Sequence, residues 1–323
     1  SFGLSKSQAD FHPTMLTFVD QADVRVGDDL VVTAHHSVHT LSDGQAVKID
    51  VVNGDGLVAN AWARPMVRTW VGGREANILA VDDVQVVSNV EQLAEVDARG
   101  MTISVVGAGV VRASADASGT TRTEVGRGVT MQVGGDLDIE SSVSSQALTE
   151  ATAPGTGIVN YFGTIAESNA SADSSALLSS VNHLSVAGDS VVVASADRNA
   201  DSATRSLNLS IGTAVGTSKS TATANGKTEA LVLGSIANTN NLTVSAQDSQ
   251  TTLSRGKSTS GSLLVGSGIE STTQTSPQTT ARIQSTVNAA GDVTIVAHAD
   301  LETQAHGETL SISGGGVGTT RVQ

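Results

Sequence analysis

A chain of 323 residues with a net charge of −14, 15% charged residues, 2% aromatic residues and no cysteine excludes several functions at once. Such acidity disfavours nucleic acid and anionic lipid surfaces, which call for clustered Lys and Arg, and without Cys there is neither disulfide nor thiolate chemistry. No apolar run reaches the ~18–20 residues of a membrane span.

In chain order, Ser5 to Phe18 reads as the tail of one unit, and residues 1–23 as a partial unit. An Asp followed by alternating apolar positions then opens the first full unit, Asp29-Leu-Val-Val-Thr-Ala34. The pattern returns as Asp83-Val-Gln-Val-Val-Ser88, Asp136-Leu-Asp-Ile-Glu-Ser141, Asp189-Ser-Val-Val-Val-Ala194, Asn241-Leu-Thr-Val-Ser-Ala246 and Asp292-Val-Thr-Ile-Val-Ala297. The anchors Asp29, Asp83, Asp136, Asp189, Asn241 and Asp292 are spaced by 54, 53, 53, 52 and 51 residues, and self-similarity at such a period marks a repeat architecture. A glycine-bearing segment follows most anchors: Val52-Asn-Gly-Asp-Gly56, Val105-Val-Gly-Ala-Gly109, Ser210-Ile-Gly212, Val265-Gly-Ser-Gly268 and Ser313-Gly-Gly-Gly316. The third unit departs, with Gly155-Thr-Gly157 early and Gly163 late, which places a local insertion or shift there. A third segment precedes the next anchor, as in Trp70-Val-Gly-Gly73, Glu124-Val-Gly-Arg-Gly128 and Ala281-Arg-Ile283. The last unit stops after the glycine run, and residues 1–323 read as one array cut from a longer one.

Within the segments the period is two, as in Leu242, Val244 and Ala246 against Thr243 and Ser245, which is strand alternation and not helical spacing. One unit cannot bury its apolar face alone, so neighbours stack with equivalent strands running the same way. The expected fold is therefore all-β, a parallel β-solenoid of about 52 residues per repeat. No half-period is evident, which favours one wide, flattened coil per unit. Ala, Ser and Gly at inward positions let opposite walls approach closely. The anchor Asp and Asn suit the corner, where their side chains bond local backbone N–H groups. Stacked carboxylates would repel, a cost that Asn241 eases.

The combination of a Gly-Asp-apolar strand with a Val-Gly-x-Gly strand, clearest in Val186-Ala-Gly-Asp-Ser-Val-Val-Val-Ala194 and Val287-Asn-Ala-Ala-Gly-Asp-Val-Thr-Ile-Val-Ala297, resembles the stalk repeats of giant filamentous-haemagglutinin-like and leukotoxin-like adhesins of Gram-negative bacteria. The likeness covers the chain from about residue 24 onward. It implies a right-handed β-helix exported across the outer membrane by dedicated machinery. Its implied work is extracellular, in adhesion, cell–cell contact or matrix formation. Cell-surface glycans or proteins would be met by regions outside this stretch, and copies would associate laterally or end to end. No functional residue carries over, because such repeats hold shape and not chemistry.

Candidate chemistry is correspondingly thin. In a strand, His35 and His39 share a face about 13 Å apart while His36 points away, so one metal cannot take all three. His298 follows its anchor by six residues, as His35 does, and reads as a repeat position. The acidic turns Asp28-Asp29, Asp82-Asp83 and Asp136–Asp138 offer oxygens to Ca²⁺, but the calcium β-roll needs its nonapeptide in tandem, and solvated corners are the expected reading. Solenoids also include polysaccharide-active enzymes, which pair carboxylates ~5–10 Å apart. Asp136, Asp138 and Glu140 alternate on one face but lack an aromatic platform, since only Tyr161 and Phe162 follow residue 100. Thr272-Thr-Gln-Thr275 and Thr221-Ala-Thr223 do not recur in register as an ice-binding face would, and the sequons at Asn169, Asn208 and Asn241 read as coincidence. The expectation is a non-catalytic stalk with no catalytic, cofactor or metal residues, a self-assembling sheath or fibre and a polysaccharide-active β-helix being the alternatives.

Overall fold

The computed structural model describes residues 2–323, which form strands and turns and no helix. The chain opens with β1 (Phe2–Phe11), β2 (Thr14–Asp20) and β3 (Asp23–Val26). Three similar sets follow: β4 (Leu30–Ala63), β5 (Met66–Gly72) and β6 (Asn77–Ala80); β7 (Val84–Ala117), β8 (Thr120–Gly126) and β9 (Thr130–Val133); β10 (Leu137–Ala170), β11 (Asp173–Leu178) and β12 (His183–Val186). In the next two sets the first strands merge, giving β13 (Ser190–Val232) with β14 (Ile236–Thr239) and β15 (Leu242–Ile283) with β16 (Val287–Ala289), before β17 (Val293–Val322).

Every pairing is parallel, and each joins a strand to its counterpart in the next set, so the sets stack as tiers. Leu30 pairs with Val84, Val84 with Leu137, Leu137 with Ser190, Ser190 with Leu242 and Leu242 with Val293, register offsets of 54, 53, 53, 52 and 51 residues. The first strands and those like β5 make one 11-stranded sheet, and the short strands β3, β6, β9, β12, β14 and β16 make a separate 6-stranded one. These strands of three or four residues are too short to show a period, and the sequence does not reveal them.

Within a tier the long strand runs out from its Asp corner, bends, and runs back with its side chains still alternating. The interior narrows towards that bend, and composition sets the width. At the corner end three walls enclose Val86, Leu137, Ile139, Met131 and Leu184. Further out alanine predominates: Ala94 and Ala98 of the outgoing limb meet Ala113, Ala115 and Ala117 of the returning one, with Val96 and Val111 among them. Hydroxyls then stitch the limbs, with Thr149 and Ser168 2.8 Å apart, Ser202 and Ser220 2.7 Å, and Ser254 and Ser271 2.8 Å. Serine is small enough for the gap, and these buried hydroxyls find partners across it, whereas those of Thr204, Thr252 and Ser260 are buried without one.

Among the described residues Phe162 is the one ring inside the thin part, 3% exposed. A Cβ added at Gly155 or Gly109 would overlap it, and one at Gly107 would crowd it. Of the third unit's glycines Gly155 is thus room for a side chain, whereas a Cβ at Gly157 would strike the Ser104 carbonyl and one at Gly163 would press on the Thr217 hydroxyl; the local irregularity expected in this unit is a register shift. The extra residue lies one tier on: β10 keeps its offset of 53 with β7 through the bend, whereas against β13 the register shifts between Gly157 and Val159, and β13 shifts again against β15 between Leu209 and Thr213. Val293 and Ile295, read as alternating with their neighbours, are both exposed because no tier covers β17.

Candidate functional site

The corner where each tier begins is built by the six anchors. The Asp29 carboxylate accepts the backbone N–H of Asp83 at 3.1 Å, Asp83 that of Asp136 at 2.8 Å, Asp136 that of Asp189 at 2.7 Å, and Asp189 that of Asn241 at 3.1 Å. Asn241 Oδ1 completes the series with the N–H of Asp292 at 2.8 Å. The peptide carbonyls of the same residues accept from the following residue one tier back, as in Leu137 N to Asp189 O at 2.9 Å. At a corner the backbone turns out of sheet register, so a side-chain oxygen takes the place of the missing ladder acceptor.

Stacking acids has an electrostatic cost. Asp83 above all, then partial desolvation and Asp29, Asp28 and Asp136, push the Asp82 carboxyl above its ordinary value. Asp138 is also raised, by burial first and then by Asp136, Asp83 and Glu140. Asn241 relieves the repulsion locally, its amide donating to Asp189 Oδ1 at 2.9 Å. Asp28, Asp29 and Asp82 bring carboxylate oxygens within 4.8 Å of one another, all three residues exposed. Ca²⁺ takes six to eight oxygens, which three carboxylates reach only when each binds through both oxygens or when water and backbone oxygens complete the shell.

The other candidates are scattered. His35 and His39 lie exposed on one face, and His36 is half-buried behind them; His39 Nε2 is 3.4 Å from Glu95. Registers running from His35 through Asn89, Ser142, Ser195 and Gln247 end on His298, so the two histidines share one column. Asp136, Asp138 and Glu140 alternate with buried Leu137 and Ile139. Several basic residues pair with acids across tiers: Arg64 with Asp116, Arg68 with Glu124, Arg112 with Glu167, Arg255 with Asp201, Lys257 with Glu308.

Two clusters escape sequence reasoning. Arg198 and Asp248 form an ion pair with both side chains fully buried. Arg198 also donates to Ala172 O at 2.8 Å and Lys227 O at 3.1 Å, and Gln250 donates to Asp248 at 3.2 Å. Burial lowers the guanidinium and raises the carboxyl, each against the pull of its partner. Two charges at inward positions of different tiers carry no local signal. The second cluster stacks Phe18 on Trp70 at 4.3 Å, with Arg68 and Arg127 over the indole at 5.1 and 5.7 Å and buried Glu124 held by both arginines and by Arg122. Phe18, Trp70 and Glu124 occupy one register column, at offsets of 52 and then 54, and the anchor spacing of 54 would have revealed only the second step.

Comparison of the chain with family models, curated proteins and solved structures finds no match.

Proposed function

We propose that this chain is a right-handed β-solenoid of wide, flattened coils, about 52 residues each, serving as the non-catalytic stalk of an extracellular adhesin or surface filament. The observation that carries this reading is the corner ladder: one column of side chains runs through all six anchors, each holding the next tier by its backbone. Inter-tier ion pairs follow the same axis. Stability is then spread over nearest-neighbour interfaces, and the ribbon extends by adding tiers. At ~4.8 Å per tier and ~3.3 Å per residue along a limb of about twenty residues, the coils are far wider than their spacing.

No cofactor enters this reading, and binding to cell-surface glycans or proteins belongs to other regions of a parent chain. Small-angle scattering tests the shape and attachment assays test the role. The expected results are a thin, flat particle and cell contact only when further domains are joined to this stretch. Depolymerisation of an acidic polysaccharide by the pure chain, lost in Asp136→Asn with Glu140→Gln, would replace the stalk with the enzyme.

A further inference from the structure

At the bend of each tier, opposite the Asp corner, the alternation of inward and outward residues breaks. Val51, Val105, Ile158, Ile211 and Leu263 stand at the bends of five successive tiers, spaced by 54, 53, 53 and 52 residues, and all are exposed. Val105, Ile158 and Ile211 are 43%, 47% and 75% accessible although tiers cover them on both sides. Val52, Val106, Val159 and Leu264 lie beside them, equally uncovered. These nine aliphatic residues present on the order of 900 Å², above the ~300–600 Å² of the largest patch on an ordinary monomer and comparable to the ~800 Å² that each partner gives a standard interface.

From the second full tier onward charge is absent where the ridge runs: stretches 101–111, 151–166, 206–218 and 258–269 contain no Asp, Glu, Lys or Arg, in a chain of net charge −14, whereas in the first tier Lys48, Asp50 and Asp55 flank Val51 and Val52. Two copies meeting on the uncharged tiers bring no carboxylates together there. A shallow, open depression lies among Leu209, Ile211, Leu263 and Ile312, beside Gly157 and Gly261, and continues the apolar face. A ridge that repeats at the strand spacing is commensurate along its whole length only with another of the same repeat.

From area, charge and spacing we infer that the bend ridge is a lateral docking face for a second copy of this chain, ridge against ridge, joining ribbons edge to edge. The inference rests on the stacked-ribbon reading given above. Ile158 is the middle of the five, so a register-matched pair brings it against its own copy whether the two run parallel or antiparallel.

Sedimentation of the whole 323-residue chain over about a hundredfold range of concentration reads the pairing. A reversible dimer is expected, weakened at least tenfold by Ile158→Lys with Ile211→Lys while far-ultraviolet circular dichroism stays unchanged. Since the chain has no cysteine, Ile158→Cys supplies a single thiol; copper-phenanthroline should cross-link it and leave Gln132→Cys, exposed on β9, without a cross-link. A chain that stays monomeric throughout overturns the pairing, and so does a dimer indifferent to the two lysines. Binding to phosphatidylcholine vesicles without self-association, lost in the lysine variant, overturns it in favour of lipid. A flat scattering profile with no dimer fails the pairing alone; a compact, isometric particle fails the ribbon itself.

Discussion

Asp136 Oδ1 accepts the backbone N–H of Asp189 at 2.7 Å, across 53 residues of chain. The bond is one rung of a column in which an amide does the same work as a carboxylate, since Asn241 holds Asp292 at 2.8 Å. Asp136→Ala is therefore expected to lose about 1 kcal/mol, the usual net worth of such a bond. Asp136→Asn should lose less, because it keeps the acceptor and removes a like charge. Denaturant unfolding of the two variants measures the difference.

Asp82 supplies the pH dependence. Its carboxyl is raised in the folded chain by Asp83 and the acids around it, so folding binds its proton more tightly than the unfolded state does. Ionised, it opposes folding; the penalty is full above the raised value and vanishes as pH falls below the ordinary 3.8. Asp82→Asn is expected to raise the melting temperature at pH 7 and to lose that advantage by pH 3.5 or so, and added salt should shrink it at neutral pH. An equal gain at both pH values would mean that charge is not the cause.

The buried Arg198–Asp248 pair behaves differently from the exposed ladders. Removing one partner strands a charge in the interior, at a cost of about 3–5 kcal/mol, so Arg198→Met and Asp248→Leu should each be severe alone. Together they should recover most of the loss. Gly226→Ala attacks the same cluster through the backbone: φ is +139°, and a Cβ would lie 2.6 Å from Ala172 O and 2.8 Å from Arg198 Nε. Unfolding free energies of the four variants test both points.

Phe162 and Gly155 make a cycle. Phe162→Ala should cost about 3–5 kcal/mol by leaving a cavity, and Gly155→Ala should be destabilising because its methyl overlaps the ring. The second change is expected to be nearly harmless once the ring is gone, giving a large coupling energy. Additive losses would mean that Gly155 matters for its own backbone.

What was legible in the sequence was whatever repeats. The anchor spacing reappears as the strand register because one Asp per tier does one backbone task, and inward Leu242, Val244 and Ala246 are all buried. Less visible was anything decided between tiers. Phe162 is buried and Tyr161 exposed because glycines at 107, 109 and 155 belong to two different tiers. The bend is hidden because alternation continues through most of a 34-residue strand, and a four-residue strand such as Asn77–Ala80 has no period to read. The bend ridge did leave a trace, as doublets like Val105-Val106 and Leu263-Leu264 where strict alternation would allow one apolar residue.

The unequal offsets between tiers fall where they do least harm. The residue by which the first full tier exceeds the second lies in the turn after β5, since β5 meets β8 at an offset of 54 and β6 meets β9 at 53, and the extra residue of β13 lies at its bend. A one-residue slip within a limb would reverse which side chains point inward; taken up at a turn or a bend, it leaves both limbs in phase, so the stack carries units of unequal length without any of them turning inside out.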